Sequence, residues 1–328
     1  MSRDRTLLIG LTFASVIVVL SSCLLGATPI GPWRAIEGLL GLGTPTDVTV
    51  LREIRLPRAL AAFLAGGSLA ISGAALQGLL RNPLAEPGVL GVTAASSFGA
   101  ILTITFGLAV SIPFALPLSA IISALAATVL ITLWAHRVAS VVTLILIGVA
   151  LSSFIGALMS LTLSLSPNPL TTNDLLNWSF GSVANRSWYD LALAAPFMAT
   201  GSALLLHARH GLTLLTLGEE TAATSGLDLR VHRRLVIVGT GLVTGASVSL
   251  AGAIGFIGII APHIVRRWVG GDPGRSLLPS LLVGGIVLTF ADIAIRIMPL
   301  QPSLRLGVAA SLVGAPLFAF IAARGVRR

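Results

Sequence analysis

One stretch of 49 residues, from position 87 to 135, contains no acidic, basic or histidine side chain. Crossing the hydrocarbon core of a bilayer takes about 20 apolar residues, so this stretch is long enough for two crossings. Uncharged runs also cover residues 6–33, 59–80 and 138–173. Charged residues make up only 10% of the chain, whereas soluble domains carry about 25%. These features exclude an ordinary soluble fold and a disordered chain, and they predict an all-α membrane protein.

Glycine and proline divide the apolar sequence into separate helices. Gly107, Pro113 and Pro117 break the longest stretch, and the glycine-rich sequence 252–258 favours a break between a long helix and a short one. The many small residues inside the spans are typical of closely packed helices in lipid. The sequence predicts one transmembrane domain over residues 1–328, a polytopic helix bundle of about ten spans near 6–27, 57–80, 88–107, 114–135, 138–166, 191–208, 235–253, 256–268, 276–298 and 304–323.

The distribution of arginine predicts the orientation of these spans. All 21 basic residues are Arg, and cytoplasmic loops normally carry the excess of positive charge. With ten spans and a cytoplasmic N-terminus, 14 Arg lie inside and 7 outside. If residues 256–268 did not cross, 10 would lie inside and 11 outside. We therefore expect a multi-pass protein of the cell (inner or plasma) membrane, with both termini cytoplasmic and a long cytoplasmic loop at about 209–234.

The residue types that are missing exclude several kinds of chemistry. Without Lys the chain has no Walker A loop and no Schiff-base chemistry. The five His and the single Cys, Cys23, form no metal-ligand or catalytic pattern. Cys23 follows an apolar run in a context loosely like a lipoprotein signal, but the run continues, which favours a buried Cys in a first membrane helix. The Arg residues are scattered between apolar runs, so membrane topology explains them better than nucleic acid. We expect no catalytic residue, no metal and no cofactor.

Two groups of charges lie where the membrane pattern does not require them. Asp292 and Arg296 are four residues apart on one span, so they form either an intrahelical ion pair or a charge at the outer mouth. Arg52, Arg55 and Arg58 precede the second span on the expected outer side. They are either solvated charges partnered by Glu53 and Asp47, or a docking surface for an acidic partner. No carboxylate is expected at mid-membrane, which weighs against a proton- or sodium-coupled transporter.

Several sequence motifs then occur in an order that resembles the FecCD family of ABC importer permeases. The resemblance covers about residues 50–323 and rests on Arg55–Arg58, Gly73–Gln77, Arg81–Val92, Leu217–Gly226, Gly255–Arg267, Ala291–Arg296 and Gly314–Pro316. One departure follows the ninth span: many family members have an acidic residue and Pro before Gly307, whereas this chain has Ser303-Leu304-Arg305-Leu306. The outer end of the tenth helix and its gate are therefore expected to differ.

The resemblance implies a type II ABC importer permease fold that pairs with a second copy or a paralogue in the membrane lipid. A separate cytoplasmic ABC ATPase dimer would supply the energy, and an extracytoplasmic substrate-binding protein would deliver ferric siderophore, haem or cobalamin. Siderophore is preferred on family frequency alone. By similarity, Arg55, Arg58 and Arg296 would dock the binding protein, and the ATPase-coupling residues would be Gly218, Glu219, Ala222, Ser225 and Gly226. The alternative class is an ion-coupled secondary transporter without an ATPase partner.

Overall fold

A computed structural model describes residues 3–26, 30–112, 114–135, 141–165, 178–298 and 304–325. Every regular element in these ranges is helical, as the sequence predicts. The main helices are α1 (Arg3–Leu24), α2 (Pro32–Leu40), α3 (Pro45–Leu80), α4 (Val92–Thr105), α5 (Ala115–Ala135), α6 (Val141–Ser164), α7 (Trp188–His207), α8 (Arg209–Leu214), α9 (Glu219–Thr224), α10 (Leu229–Ala251), α11 (Ile257–Arg266), α12 (Pro273–Ile297) and α13 (Leu306–Gly325). Shorter helical turns lie at Pro87–Leu90, Leu108–Ser111 and Leu215–Leu217.

The lengths and hydropathies of these helices are those of a multi-pass membrane protein. Among the described residues, seven helices are long and apolar enough to cross a bilayer, namely α1, α3, α5, α6, α7, α10 and α12. Helices α4, α11 and the part of α13 up to Pro316 are shorter apolar helices. Each of the ten predicted spans therefore contains one helix. Which side the termini face stays a prediction, and we call the two ends of the bundle outer and inner accordingly.

Small residues bring the two most central helices close to their neighbours. Most of α3 is buried, and it packs along α12 at a point where a Cβ on Gly66 would collide with the carbonyl oxygen of Gly284. Helix α10 is similarly buried and meets α7 where Gly201 faces Gly239. In lipid, such close approach of backbones supplies packing that the hydrophobic effect cannot. By contrast, α1 and α6 are mostly exposed and lie at the edge of the chain.

The predicted break within residues 235–268 is confirmed. Helix α10 ends at Ala251, and Gly252 follows with φ 71°. A segment without regular structure then leads to Phe256, the N-cap of α11, and α11 runs for only 10 residues. A 10-residue helix is too short to cross a bilayer, so this span consists of a half-helix preceded by irregular backbone. Irregular backbone at this depth is tolerated only where protein or a water-filled cavity surrounds it.

The second span begins earlier than residue 57, the predicted start. Thr44 caps the new start, since its Oγ1 accepts a hydrogen bond from the N–H of Asp47 at 3.3 Å, and Pro45 occupies the first turn. One turn of π-helix at Val50–Arg55 then leads into the apolar part of α3. A search for apolar runs misses this extension because its residues are polar. Pro113, residues 138–140, residue 166 and Ser303 lie outside the described residues.

Candidate functional site

A buried carboxylate joins two helices at the outer end of the bundle. Asp292 of α12 is 2% exposed and pairs with Arg58 of α3, whose Nη2 lies 2.7 Å from its Oδ1. Arg296, one turn further along α12, lies with its Nε 3.0 Å from Oδ2 of Asp292. The intrahelical ion pair expected from the spacing is therefore present, and it is part of a three-residue cluster. Helices α3 and α12 are held together there by charge-assisted hydrogen bonds.

Two arginines of the same region cap the outer end of α1. Arg55 Nη1 donates to the carbonyl oxygens of Cys23 at 2.9 Å and Leu24 at 3.1 Å. Arg296 Nη1 donates to the carbonyl oxygen of Leu25 at 2.9 Å. The last carbonyls of a helix have no partner within the helix, and a cation there also interacts favourably with the helix dipole. These guanidinium groups therefore tie α1 to α3 and α12.

The three predicted docking residues are thus brought close together but differ in accessibility. Arg55 is 5% exposed, whereas the side chains of Arg296 and Arg58 are 10% and 24% exposed. Arg58 and Arg296 share Asp292, and Arg55 lies beneath them against α1. Of the three, Arg58 offers the most surface to a partner.

The outer arginines Arg52, Arg55 and Arg58 do not pair with Asp47 as the sequence analysis suggested. Asp47 pairs with Arg34 of α2 at 2.8 Å, and the partner of Arg58 is Asp292. Arg52 contacts α2, since its Nε donates to the carbonyl oxygen of Leu39 at 2.9 Å. In a regular α-helix, the spacing by three would place Arg52, Arg55 and Arg58 on roughly one face. The π-helical turn at Val50–Arg55 changes this spacing.

A second feature is a loop that folds back into the bundle at the break before α11. Gln77 of α3 donates to the carbonyl oxygen of Gly258 at 3.0 Å, and the Glu86 Oε2 accepts the N–H of Phe256 at 3.2 Å. Phe256 is one of three described non-glycine residues with positive φ, at 67°. Backbone strain of this kind persists only where the surroundings hold it and is frequent at functional sites.

This junction lies in the inner part of the bundle. Gly73 packs against Gly258, and at 1.5 Å per residue it lies about 10 Å from the inner end of α3. Glu86 contacts the backbone only two residues before Gly258. A carboxylate therefore lies within the bundle near its inner end, and the absence of a carboxylate at mid-membrane stays a prediction. The sequence around Arg81-Asn82-Pro83 is typical of a surface loop, and nothing in it reveals that the next residues return into the bundle.

The third feature is the inner segment that contains the predicted coupling residues. Gly218 and Gly226 both have positive φ, 102° and 90°, and they bracket α9. Glu219 at its start pairs with Arg233 of α10 at 2.9 Å. Ala222 is fully buried, so it holds α9 against the chain, whereas Ser225 is exposed. The result is a short, fixed helix on the inner surface.

The exposed side of this helix is available for contact with another protein. It carries five exposed residues, Glu220, Thr221, Ala223, Thr224 and Ser225, and Leu217 just before it is 63% exposed. Asp228 caps the start of α10, the helix that follows, since its Oδ1 accepts hydrogen bonds from the N–H groups of Arg230 at 2.9 Å and Val231 at 3.1 Å. These hydrogen bonds, that of Val231 first, lower the pKa of the Asp228 carboxyl. An exposed Leu next to a rigid polar helix is suited to a small protein interface.

The sequence matches a family model described as the FecCD transport family over residues 14–324. An uncharacterized ABC transporter permease of Bacillus subtilis, YvrB, is 37% identical and covers 98% of this chain and 94% of its own length. The vitamin B12 import system permease BtuC of Klebsiella pneumoniae is also 37% identical, over 98% of this chain and 95% of that protein. The cobalamin import system permease BtuC of Halobacterium salinarum is 38% identical over 88% and 79% of the two chains.

A solved structure has the same fold over nearly the whole chain. It is described as an inward-facing conformation of a metal-chelate type ABC transporter, and it superposes with a TM-score of 0.86. Its sequence is 32% identical to this one, and the match covers 98% of this chain and 99% of that chain.

Proposed function

Since the chain belongs to the FecCD transport family and is the permease of an ABC importer, we propose that it moves a metal chelate through the cell membrane, with cobalamin as the preferred cargo. The observation that carries this choice of cargo is the similarity, over 98% of the chain, to a permease named for vitamin B12 import. Ferric siderophore, preferred on family frequency, and haem are the alternatives for the same machinery.

A separate cytoplasmic ABC ATPase dimer would supply the energy by docking on the segment from Gly218 to Gly226. The support for this role is a rigid α9 with an exposed polar side and an exposed Leu217 beside it. Glu219 and Ala222 would act by holding the helix, and Ser225 by direct contact. Movement of the ATPases would then shift α9 together with α10, because the Glu219–Arg233 ion pair links them.

A substrate-binding protein would dock at the outer end, where Arg55, Arg58 and Arg296 lie. Arg58 would contribute most to docking, since it has the largest exposed fraction of the three. Solvent-exposed ion pairs contribute about 0–1 kcal/mol each, so Arg58→Gln should weaken binding by up to about fivefold. Arg34→Gln is the matched control, because Arg34 is an exposed outer arginine outside the cluster. Equal binding by both variants at low ionic strength would contradict this role.

A second permease copy or a paralogue would complete the transport pathway. The support is the mostly exposed helix α6, which bears a row of small side chains, Ala150, Ser153, Ala157 and Ser160, on its exposed face. Small residues of this kind allow two helices to approach closely in lipid. A cysteine cross-link between two copies at Ser153 would test the pairing.

Reconstitution separates the proposed function from its alternatives. The permease is placed in vesicles with its ATPase and binding protein, and ATP-dependent uptake of labelled cyanocobalamin is measured with ferric siderophore and haem as competitors. We expect accumulation of cobalamin only when all components and ATP are present. ATP-dependent uptake of ferric siderophore without cobalamin would transfer the assignment to the siderophore class.

The alternative of a different class, an ion-coupled secondary transporter, has one specific observation in its favour. Glu86 is a carboxylate within the bundle, and such groups often mark ion relays. Vesicles that contain the permease alone, with an imposed proton or sodium gradient and no ATPase, test this class. Uptake under those conditions would reject the ABC mechanism proposed above.

A further inference from the structure

A cavity of about 600 Å³ opens at the inner edge of the bundle, where the start of α1 meets α8 and the start of α12. Its walls are largely apolar and include Leu7, Leu206, Leu214, Val269 and Leu278. The cavity therefore faces the membrane edge and is distinct from the coupling segment and from the outer cluster.

The rim of the cavity carries two arginines, Arg209 and Arg275, and two aspartates, Asp4 and Asp272. Of its two acidic residues, Asp4 accepts a hydrogen bond from Arg275 Nε at 2.9 Å, and Asp272 accepts one from Thr213 Oγ1 at 2.8 Å. The side chain of Arg209 is exposed and has no hydrogen bond or ion pair with the part of the chain that the structure describes. His210 is exposed beside it. A guanidinium group has a planar fork of donors that matches phosphate.

An apolar groove continues from this cavity along α1. It has a volume of about 480 Å³ and is lined by Thr6, Leu7, Gly10, Leu11 and Trp268. Leu7 borders both spaces. No atom lies within 4 Å of the place where a Cβ on Gly10 would be, so the groove has room for an acyl chain there. Trp268 is 39% exposed, and tryptophan is enriched at membrane–water interfaces.

From this arrangement we infer that the chain binds one phospholipid of the inner leaflet, with its phosphate on Arg209 and an acyl chain in the groove beside Gly10. The guanidinium group of Arg209 is complementary to the phosphate, and the apolar walls lead from this group toward the membrane interior. Free phosphate would use only the rim and leave the groove unexplained. The inference depends on the membrane location and not on the identity of the cargo.

Native mass spectrometry of the delipidated permease in detergent tests this site. The probe is a phosphatidylglycerol, and the matched ligand without phosphate is a diacylglycerol with the same acyl chains. We expect one phosphatidylglycerol per chain and much weaker binding of the diacylglycerol. Arg209→Gln should weaken binding about tenfold, since a hydrogen-bonded ion pair is lost. Arg230→Gln is the control, because Arg230 is an exposed inner arginine that does not line the cavity.

A second variant tests the groove without altering any charge. Gly10→Leu fills open space and should also reduce occupancy by phosphatidylglycerol, while inorganic phosphate should not compete with the lipid. Equal occupancy in the wild type and the Arg209→Gln variant would overturn the inference. Binding of diacylglycerol as strong as that of phosphatidylglycerol would also overturn it. The same holds if the Arg209→Gln variant loses association with the ATPase while its lipid binding is unchanged.

Discussion

Replacement of Asp292 by alanine should destabilise the outer end of the bundle more than loss of either arginine partner. Asp292 is 2% exposed. It accepts hydrogen bonds from Arg58 and forms an ion pair with Arg296. Its removal leaves both guanidinium groups without their carboxylate, and breaking a buried pair in this way costs about 3–5 kcal/mol.

The expected cost of the arginine variants is smaller and follows from their exposure. In the Arg58→Ala variant, Asp292 still forms its ion pair with Arg296. Water can also reach the space left by the Arg58 side chain, which is 24% exposed in the wild type. We expect a loss of about 1 kcal/mol for this variant. Arg296→Ala should lie between the two, because Arg296 is less exposed and also caps the end of α1.

The free energy of unfolding can be measured by titrating the purified permease with SDS in mixed micelles, with tryptophan fluorescence as the signal. Phe290→Ala is the control on the same helix, since Phe290 is 65% exposed and its removal should change stability little. The reasoning is refuted if Asp292→Ala is as stable as the control, or if Arg58→Ala costs as much as Asp292→Ala.

Three further predictions concern the inner half of the molecule. Gly226→Ala should strain a backbone with φ 90° by about 1–2 kcal/mol and should raise the number of ATP molecules consumed per cargo molecule transported. The control Gly31→Ala should leave this ratio unchanged. An unchanged ratio in Gly226→Ala would count against coupling at this position. Glu86→Ala removes the acceptor for the N–H of Phe256 and should slow transport without preventing ATPase binding. Glu86→Gln should recover part of the transport rate. Normal transport by the alanine variant would exclude a role of Glu86 in transport. Because the pKa of Asp228 is below its usual 3.8, its stabilisation of α10 should be complete above that value and lost as the pH falls further through the folded-state pKa. Hydrogen exchange at Val231 measures this, and protection that is unchanged at low pH would contradict it.

The ten apolar segments could be predicted from the sequence because each is a local property of about 20 residues. The break before α11 was predictable too, since glycine-rich sequence favours interruption of a helix. Helix α2 and the early start of α3 could not be predicted, because they depend on a cap at Thr44 and on packing against α1 rather than on an apolar run. The position of Glu86 inside the bundle could not be predicted either, because it depends on a contact with Phe256, which lies 170 residues away in the sequence.

The sequence by itself therefore determined that this chain folds within a bilayer, roughly where each span lies, and to which family it belongs. Only the tertiary structure decided what the outer arginines contact. Residue spacing defines a common face only in a regular helix, and the π-helical turn at Val50–Arg55 breaks that regularity. Arg58 then finds its carboxylate 234 positions away, on Asp292 of α12, because a buried charge is stable only where the assembled helices provide a partner.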